Sequence, residues 1–179
     1  MGAEQSTPEH NTGTPEKEGA GLLLICKERN KVLLLLRAPT SGNPNTWGVP
    51  GGNIDPGETA EAAAAREARE EMSTVPEHDV LGSVLTRRGK RLQKHFTLFV
   101  CAVKPEAVDS FDPVLDKSEH TDFRWADISD VVKSAFVDKP LHLHPVPAIC
   151  VGKHGRTVWK MIDPAGDVPE DWMAHARAE

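Results

Sequence analysis

The sequence predicts an α/β or α+β domain, a mixed β-sheet flanked by helices. Three features of the 179 residues carry that expectation. Two short, continuously apolar runs flank a polar turn close to the N-terminus. A block of Ala, Glu and Arg follows, all strong helix formers. Strand-like and helix-like segments then continue to alternate without an internal repeat. At ~100–200 residues per domain, the length fits one domain.

Residues 1–19 are rich in Thr, Pro, Glu, Asn and Gly and have hardly an apolar side chain. They bury too little surface to offset ordering entropy and are expected to be disordered. A single domain is expected over residues 20–179, with a C-terminal extension from about 136. Residues 21–26 (GLLLIC) and 32–36 (VLLLL) read as strands buried on both faces, joined into a hairpin by the polar turn 27–31. A Gly/Pro/Asn-rich loop at 39–45 leads to Thr46-Trp47-Gly48-Val49-Pro50-Gly51-Gly52. A helix is expected from Glu58 to Met72. Residues 80–86 and 96–103 form a second strand pair around the basic tip Arg87-Arg88-Gly89-Lys90-Arg91. Phe123-Arg124-Trp125 reads as a short strand, and 127–134 as a short helix capped by Asp127. Beyond Pro140, residues 148–151 and 157–162 suggest another hairpin around Gly152-Lys153-His154-Gly155, and 169–178 a closing helix.

The 21 Lys+Arg against 27 Asp+Glu leave a net charge of −6, which argues against a general nucleic-acid binder. An anionic small substrate stays compatible, because a local patch or bound cation can reverse the field at one site. Cys26, Cys101 and Cys150 all sit among apolar neighbours and read as reduced core thiols of a cytoplasmic protein. No apolar stretch reaches the length of a membrane span, and no secretory signal is visible. The start Met1-Gly2-Ala3-Glu4-Gln5-Ser6 fits the short pattern for N-myristoylation of Gly2. Glu4, Glu9, Glu16 and Glu18 make that region acidic, so a second, polybasic anchor is missing and no membrane partner is expected.

The chemistry concentrates in residues 52–74. Glu67, Glu70 and Glu71 are spaced i, i+3 and i+4, so all three carboxylates leave one face of the helix. Like charges at that spacing cost ~0.2–0.5 kcal/mol per pair unless something neutralises them. The other face, with Ala62, Ala63, Ala65 and Ala68, can lie close against a neighbour. Arg66, four residues before Glu70, can brace the acidic side. Clustered carboxylates beside backbone carbonyls suit a hard divalent cation such as Mg²⁺, with substrate phosphates completing its shell. Such an ion can polarise a phosphoryl oxygen and orient a water. A solvated acidic helix face remains the alternative on spacing alone.

Gly52, then Glu58, Arg66-Glu67-Ala68 and Glu70-Glu71 at these intervals resemble the signature box of the Nudix hydrolase family. The lead-in Trp47-Gly48-Val49-Pro50-Gly51-Gly52 and the later Trp125 followed by Asp127-Ile128-Ser129 resemble the family's flanks, so the likeness spans about residues 20–135. It implies the Nudix fold, a mixed β-sheet sandwiched between α-helices. It also implies metal-dependent hydrolysis of a nucleoside diphosphate linked to another moiety, with Mg²⁺ or Mn²⁺ as cofactor and a nucleotide as small-molecule partner. By that resemblance Glu67, Glu70 and Glu71 are ligands, the Gly52 carbonyl a further candidate ligand, and Glu58 and Arg66 supports. Glu119 is either the general base or an extra ligand, or else a solvated loop acid. The box departs from its pattern where Ser73-Thr74 replaces the usual Gly and aliphatic residue. Ser enters the left-handed region less readily, so the helix is expected to end differently or run on toward Pro76.

Other candidates stay open. Arg37, Arg87 and Arg88 could contact substrate phosphate, although strand-end and turn cations are also often simply solvated. His142 and His144 lack the Cys or third His of a zinc site. Trp47, Phe96, Phe99 and Trp159 read as core residues rather than base-stacking platforms. The chain has no Tyr, hence not the downstream Tyr of diadenosine-polyphosphate hydrolases. The Ser-Gln-Pro-Trp array of NADH-cleaving members and a Pro about sixteen residues past the box are missing too. Nucleotide sanitation is the default substrate reading. A non-catalytic nucleotide-sensing or protein-binding module and an RNA-cap-directed hydrolase are the alternatives.

Overall fold

The computed structural model describes residues 14–137 and 139–173. Gly2 and most of the N-terminal segment expected to be disordered lie outside them. Seven strands form one mixed sheet: β1 (Lys17–Cys26), β2 (Lys31–Arg37), β3 (Trp47–Gly48), β4 (Gly51–Asn53), β5 (His78–Arg88), β6 (Lys94–Val103) and β7 (His120–Asp127). Helices α1 (Ala60–Met72), α2 (Pro105–Ser110), α3 (Ile128–Val137), α4 (Pro145–Ile162) and α5 (Glu170–Met173) complete the domain. The first strand thus starts at Lys17, three residues ahead of the change in composition.

The expected β1–β2 hairpin holds only at its turn, where Ile25 faces Val32 and Cys26 faces Lys31. Beyond that point the strands diverge. β3 fills the gap on the β2 side, and β4 fills it on the β1 side through Ala20↔Gly52 and Gly21↔Gly51. β1 then runs parallel to β6, and β2 antiparallel to β7. The split seats the Gly51-Gly52 backbone in the middle of the sheet, directly under α1.

The continuous apolar runs are explained by cores on both faces. Leu23, Ile25, Val32 and Leu34 point to one side, where α3, α4 and α5 pack. Ala20, Leu22, Leu24, Leu33 and Leu35 point to the other, against Ala63, Ala64, Ala68 and Met72 of α1. Each fully buried Leu is worth roughly 1.5–3 kcal/mol. The three cysteines are free and buried in these layers.

Two local expectations are corrected, and a third resolves to one of its two alternatives. Residues 148–162 form one helix rather than a hairpin. His144 caps it, Pro145 occupies its first turn, and Val146, Cys150, Val151, Val158 and Trp159 form a helical stripe into the core. Gly155 sits there because a Cβ would come within 2.9 Å of the Trp172 ring. Asp127 is the last residue of β7, and its carboxylate takes the Lys31 ammonium at 3.0 Å instead of capping α3. Finally, α1 ends at Met72 despite lacking the usual Gly. Ser73 takes φ +62°, its N–H donates to the Arg69 carbonyl, and its hydroxyl donates to the Val114 carbonyl at 3.0 Å. That last bond helps to hold Ser in a backbone region it enters reluctantly.

Candidate active site

Helix α1 opens at Thr59, whose hydroxyl accepts the Ala62 N–H at 3.2 Å. Its buried stripe is Ala64, Ala68 and Met72 with Ala63; Ala62 is exposed and Ala65 half-buried, so the apolar face is rotated from the expected one. The rotation separates the three carboxylates. Glu70 turns outward, with a side chain 59% exposed, while Glu67 is mostly covered and Glu71 is 3% exposed.

Arg66 ties the outer part of this group together. Its guanidinium donates to Glu58 at 2.9 and 3.0 Å, to Glu67 at 2.9 Å, to Glu70 at 3.2 Å and to the Asn53 carbonyl at 3.0 Å. Those bonds hold the Glu58 carboxyl below its usual range. Glu67 is pushed the other way, mainly by burial and further by Glu70 and Glu119, with Arg66 opposing. Its carboxylate lies over Gly52 so closely that a Cβ there would fall 2.4 Å from Glu67 Cδ.

Glu71 has no such cation. One oxygen accepts the Gly51 N–H at 2.9 Å. Burial, together with repulsion from Glu119 and Glu67, raises its carboxyl to about 9. Glu119 arrives from the loop before β7, which is stitched to the end of α1: Asp116 N–H donates to the Glu71 carbonyl and Val114 N–H to that of Met72. Ala38 N–H holds the Glu119 carbonyl at 2.7 Å. The next residue, His120, is 1% exposed, and neither ring nitrogen has a hydrogen-bond partner. Burial and the neighbouring Arg37 bring its imidazole down to about 4. Ligand atoms of Glu71, Glu119 and His120 all lie within 4.8 Å of one another.

These residues adjoin an open cleft of about 670 Å³. Glu67, Glu119 and the Gly51-Gly52 backbone form one wall, and Lys17, Arg37, Arg88, Lys94 and His144 supply cationic and polar groups around the rest. Arg37 Nε donates to the Gly42 carbonyl at 2.6 Å, which fixes the side chain along the cleft. Arg88 is half-buried, its Nε without a partner, and burial beside Arg37 lowers its pKa. Arg87 alternates to the other side of β5, is exposed and lines no part of the cleft. His144 caps α4 by accepting the Val146 N–H at 3.2 Å, and burial near Arg37 and Arg88 brings it down to about 3. Phe96 lines the cleft and also packs on the core, whereas Phe99 and Trp159 serve the core alone.

The four residues expected to ligate a metal, Gly52, Glu67, Glu70 and Glu71, stand in different surroundings. Glu71 clusters with Glu119 and His120, Glu67 stands above Gly52, and Glu70 stays at the rim on Arg66. His120, Lys17 and Asn43 escaped the sequence reading. Only the adjacency of His120 to Glu119 hinted at it, because a strand start gives no sign of which way a side chain faces.

The sequence profile of the NUDIX domain matches residues 15–147. Bis(5'-nucleosyl)-tetraphosphatase [asymmetrical] of Caenorhabditis elegans is 32% identical over 66% of this chain and 84% of its own length. Diphosphoinositol polyphosphate phosphohydrolase 2 of Rattus norvegicus is 26% identical over 76% of this chain and 72% of its own. Among solved structures, a Nudix hydrolase from M. smegmatis superposes with a TM-score of 0.57 at 24% identity, covering 86% of this chain and 91% of that one, a likeness of fold.

Proposed function

The chain belongs to the NUDIX family of hydrolases, and from that premise we propose that it is a divalent-cation-dependent pyrophosphohydrolase acting on a nucleoside diphosphate linked to another moiety. The observation that carries the reading is the mismatch of charge at the cleft. Glu71 is buried against Glu67 and Glu119, and its one hydrogen-bond donor is the Gly51 amide. A buried carboxylate repelled by two others is costly unless a cation joins it. The donors fit Mg²⁺ or Mn²⁺, since both take carboxylate and carbonyl oxygens.

Glu67 and Glu71 would hold such an ion, with Glu70, Glu119 and the Gly52 carbonyl as further donors. A bound ion supplies Lewis-acid polarisation of a phosphoryl oxygen and acidifies water. The chain supplies the remainder. Arg66 and Glu58 keep Glu67 and Glu70 in place. Glu119, exposed to the cleft, takes the proton of the water that attacks phosphorus as the anhydride P–O bond breaks. The products are a nucleoside monophosphate and a phosphorylated remainder. Arg37 and Arg88 neutralise the non-reacting phosphates from the opposite wall.

Homologues are named for dinucleoside tetraphosphates and diphosphoinositol polyphosphates, substrates with several adjacent phosphates. The test is a product-resolved screen of such compounds and nucleoside triphosphates with Mg²⁺ and with Mn²⁺, using the wild type and Glu67→Gln. Metal-dependent release of a nucleoside monophosphate, reduced at least about 100-fold by the substitution, is expected. Binding without any product would instead identify a nucleotide sensor.

A further inference from the structure

Resting on the cation site just described, we propose that His120 is a nitrogen ligand of that site, which makes this chain favour Mn²⁺ over Mg²⁺. Three observations support it. The imidazole is 1% exposed, yet both ring nitrogens lack any hydrogen-bond partner. A buried polar group in that state is costly, so it needs an occupant that the side chains do not supply. Nδ1 stands 4.0 Å from Glu71 Oε1, too far for a hydrogen bond. That oxygen is also the one left over when Oε2 takes the Gly51 amide.

The spacing suits a shared ion. Two donors held by one ion at about 2.1 Å lie no more than about 4.2 Å apart. The Nδ1–Oε1 separation already meets that limit, and Glu119 needs only a small contraction, since the three ligand atoms lie within 4.8 Å. Glu119 is on an exposed loop and can move; His120 and Glu71 are packed and cannot move far. The cross-strand neighbour of His120, Arg37, is tied to the Gly42 carbonyl, and Asp116, the nearest other acid in the loop, is engaged by Ser118. An imidazole nitrogen is a borderline donor: Mg²⁺ prefers an all-oxygen shell, whereas first-row transition ions accept nitrogen and gain from it.

The experiment is pulsed EPR of the full chain loaded with one equivalent of Mn²⁺, prepared with natural-abundance histidine and with ¹⁵N-histidine. The expected result is nitrogen modulation that changes isotope pattern on labelling, vanishes in His120→Gln and survives in His144→Gln. Titration should show the ratio of Mg²⁺ to Mn²⁺ dissociation constants falling at least about tenfold in His120→Gln. Bound Mn²⁺ with no nitrogen coupling in the wild type would overturn the proposal and leave the oxygen-ligand reading intact. Failure to bind Mn²⁺ at all would overturn both.

Discussion

Helices α1 and α4 sit on opposite faces of the same sheet and meet the cleft with different contributions. α1 brings charge: its buried stripe is mostly alanine, and it lodges Glu71 in the interior with only a backbone amide as donor. α4 brings packing: Val158 is fully buried, Trp159 nearly so, and Trp159 packs at a tilt against Trp172 with ring centroids 5.6 Å apart. Its one polar contribution to the cleft is His144, at its N-cap. The comparison teaches that the domain separates the work. Carboxylates are concentrated on a helix whose small side chains let its backbone approach the Gly51-Gly52 strand, and apolar packing on a helix that offers the cleft one polar side chain.

If that division is real, Glu71→Gln should reduce turnover by about 100- to 1,000-fold while the melting temperature of the metal-free protein changes little. With its carboxyl raised to about 9, Glu71 is already protonated in the metal-free protein near pH 7, and Gln keeps its size and an acceptor for the Gly51 amide, so a large drop in thermal stability would break the contrast. Trp159→Ala should do the reverse. It removes a large core side chain and the Nε1 bond to the Asp167 carbonyl, at a cost of about 3–5 kcal/mol in denaturant unfolding. Activity per folded molecule should persist below the melting transition.

Gly52→Ala sharpens the comparison at the point where α1 meets the sheet. Its Cβ would press on the Glu67 carboxylate, the far end of a flexible side chain. Stability should fall by less than about 1 kcal/mol, and kcat/KM by about 10- to 100-fold as the carboxylate is displaced. The smallest effect concerns the cap of α4. His144 titrates near 6.5 when unfolded and at about 3 when folded, so between those values the unfolded chain alone takes up the proton. The contribution of the buried histidines to folding stability should therefore decline as pH falls from 6.5 toward 3, His144 by at most about 1.4 kcal/mol per pH unit, while Glu71, raised to about 9 in the fold, acts with the opposite sign down to the usual carboxylate range. Its replacement in His144→Gln should flatten that decline without abolishing it, because His120 contributes with the same sign. Urea melts at pH 4, 5 and 7 would measure the slope.

Local information made most of α1 legible. Its composition and the run from Gly52 to Glu71 lie within one stretch of chain, so family, helix and acid cluster could all be read there. The rotation of that helix could not: every small residue on it is an alanine, and periodicity does not choose among alanines. α4 was misread for a related reason. Two glycines and the flanking prolines resemble turn signals, until the Trp172 ring is seen to fill the space at Gly155. His120 was invisible because its importance lies in what fails to reach it.

By itself the sequence determined which elements carry charge, that both faces of the sheet would be covered, and which family's signature box the chain contains. Those properties follow from residue type and spacing along one segment. Only the tertiary structure decided that Glu71 rather than Glu70 goes inside, that Glu119 from a loop and His120 from the start of β7 join it from 48 and 49 positions away, and that Arg88 faces the cleft while Arg87 does not. Such outcomes depend on the rotation of a helix, the divergence of two strands and the register of a hairpin, which are set by contacts between segments far apart in the chain.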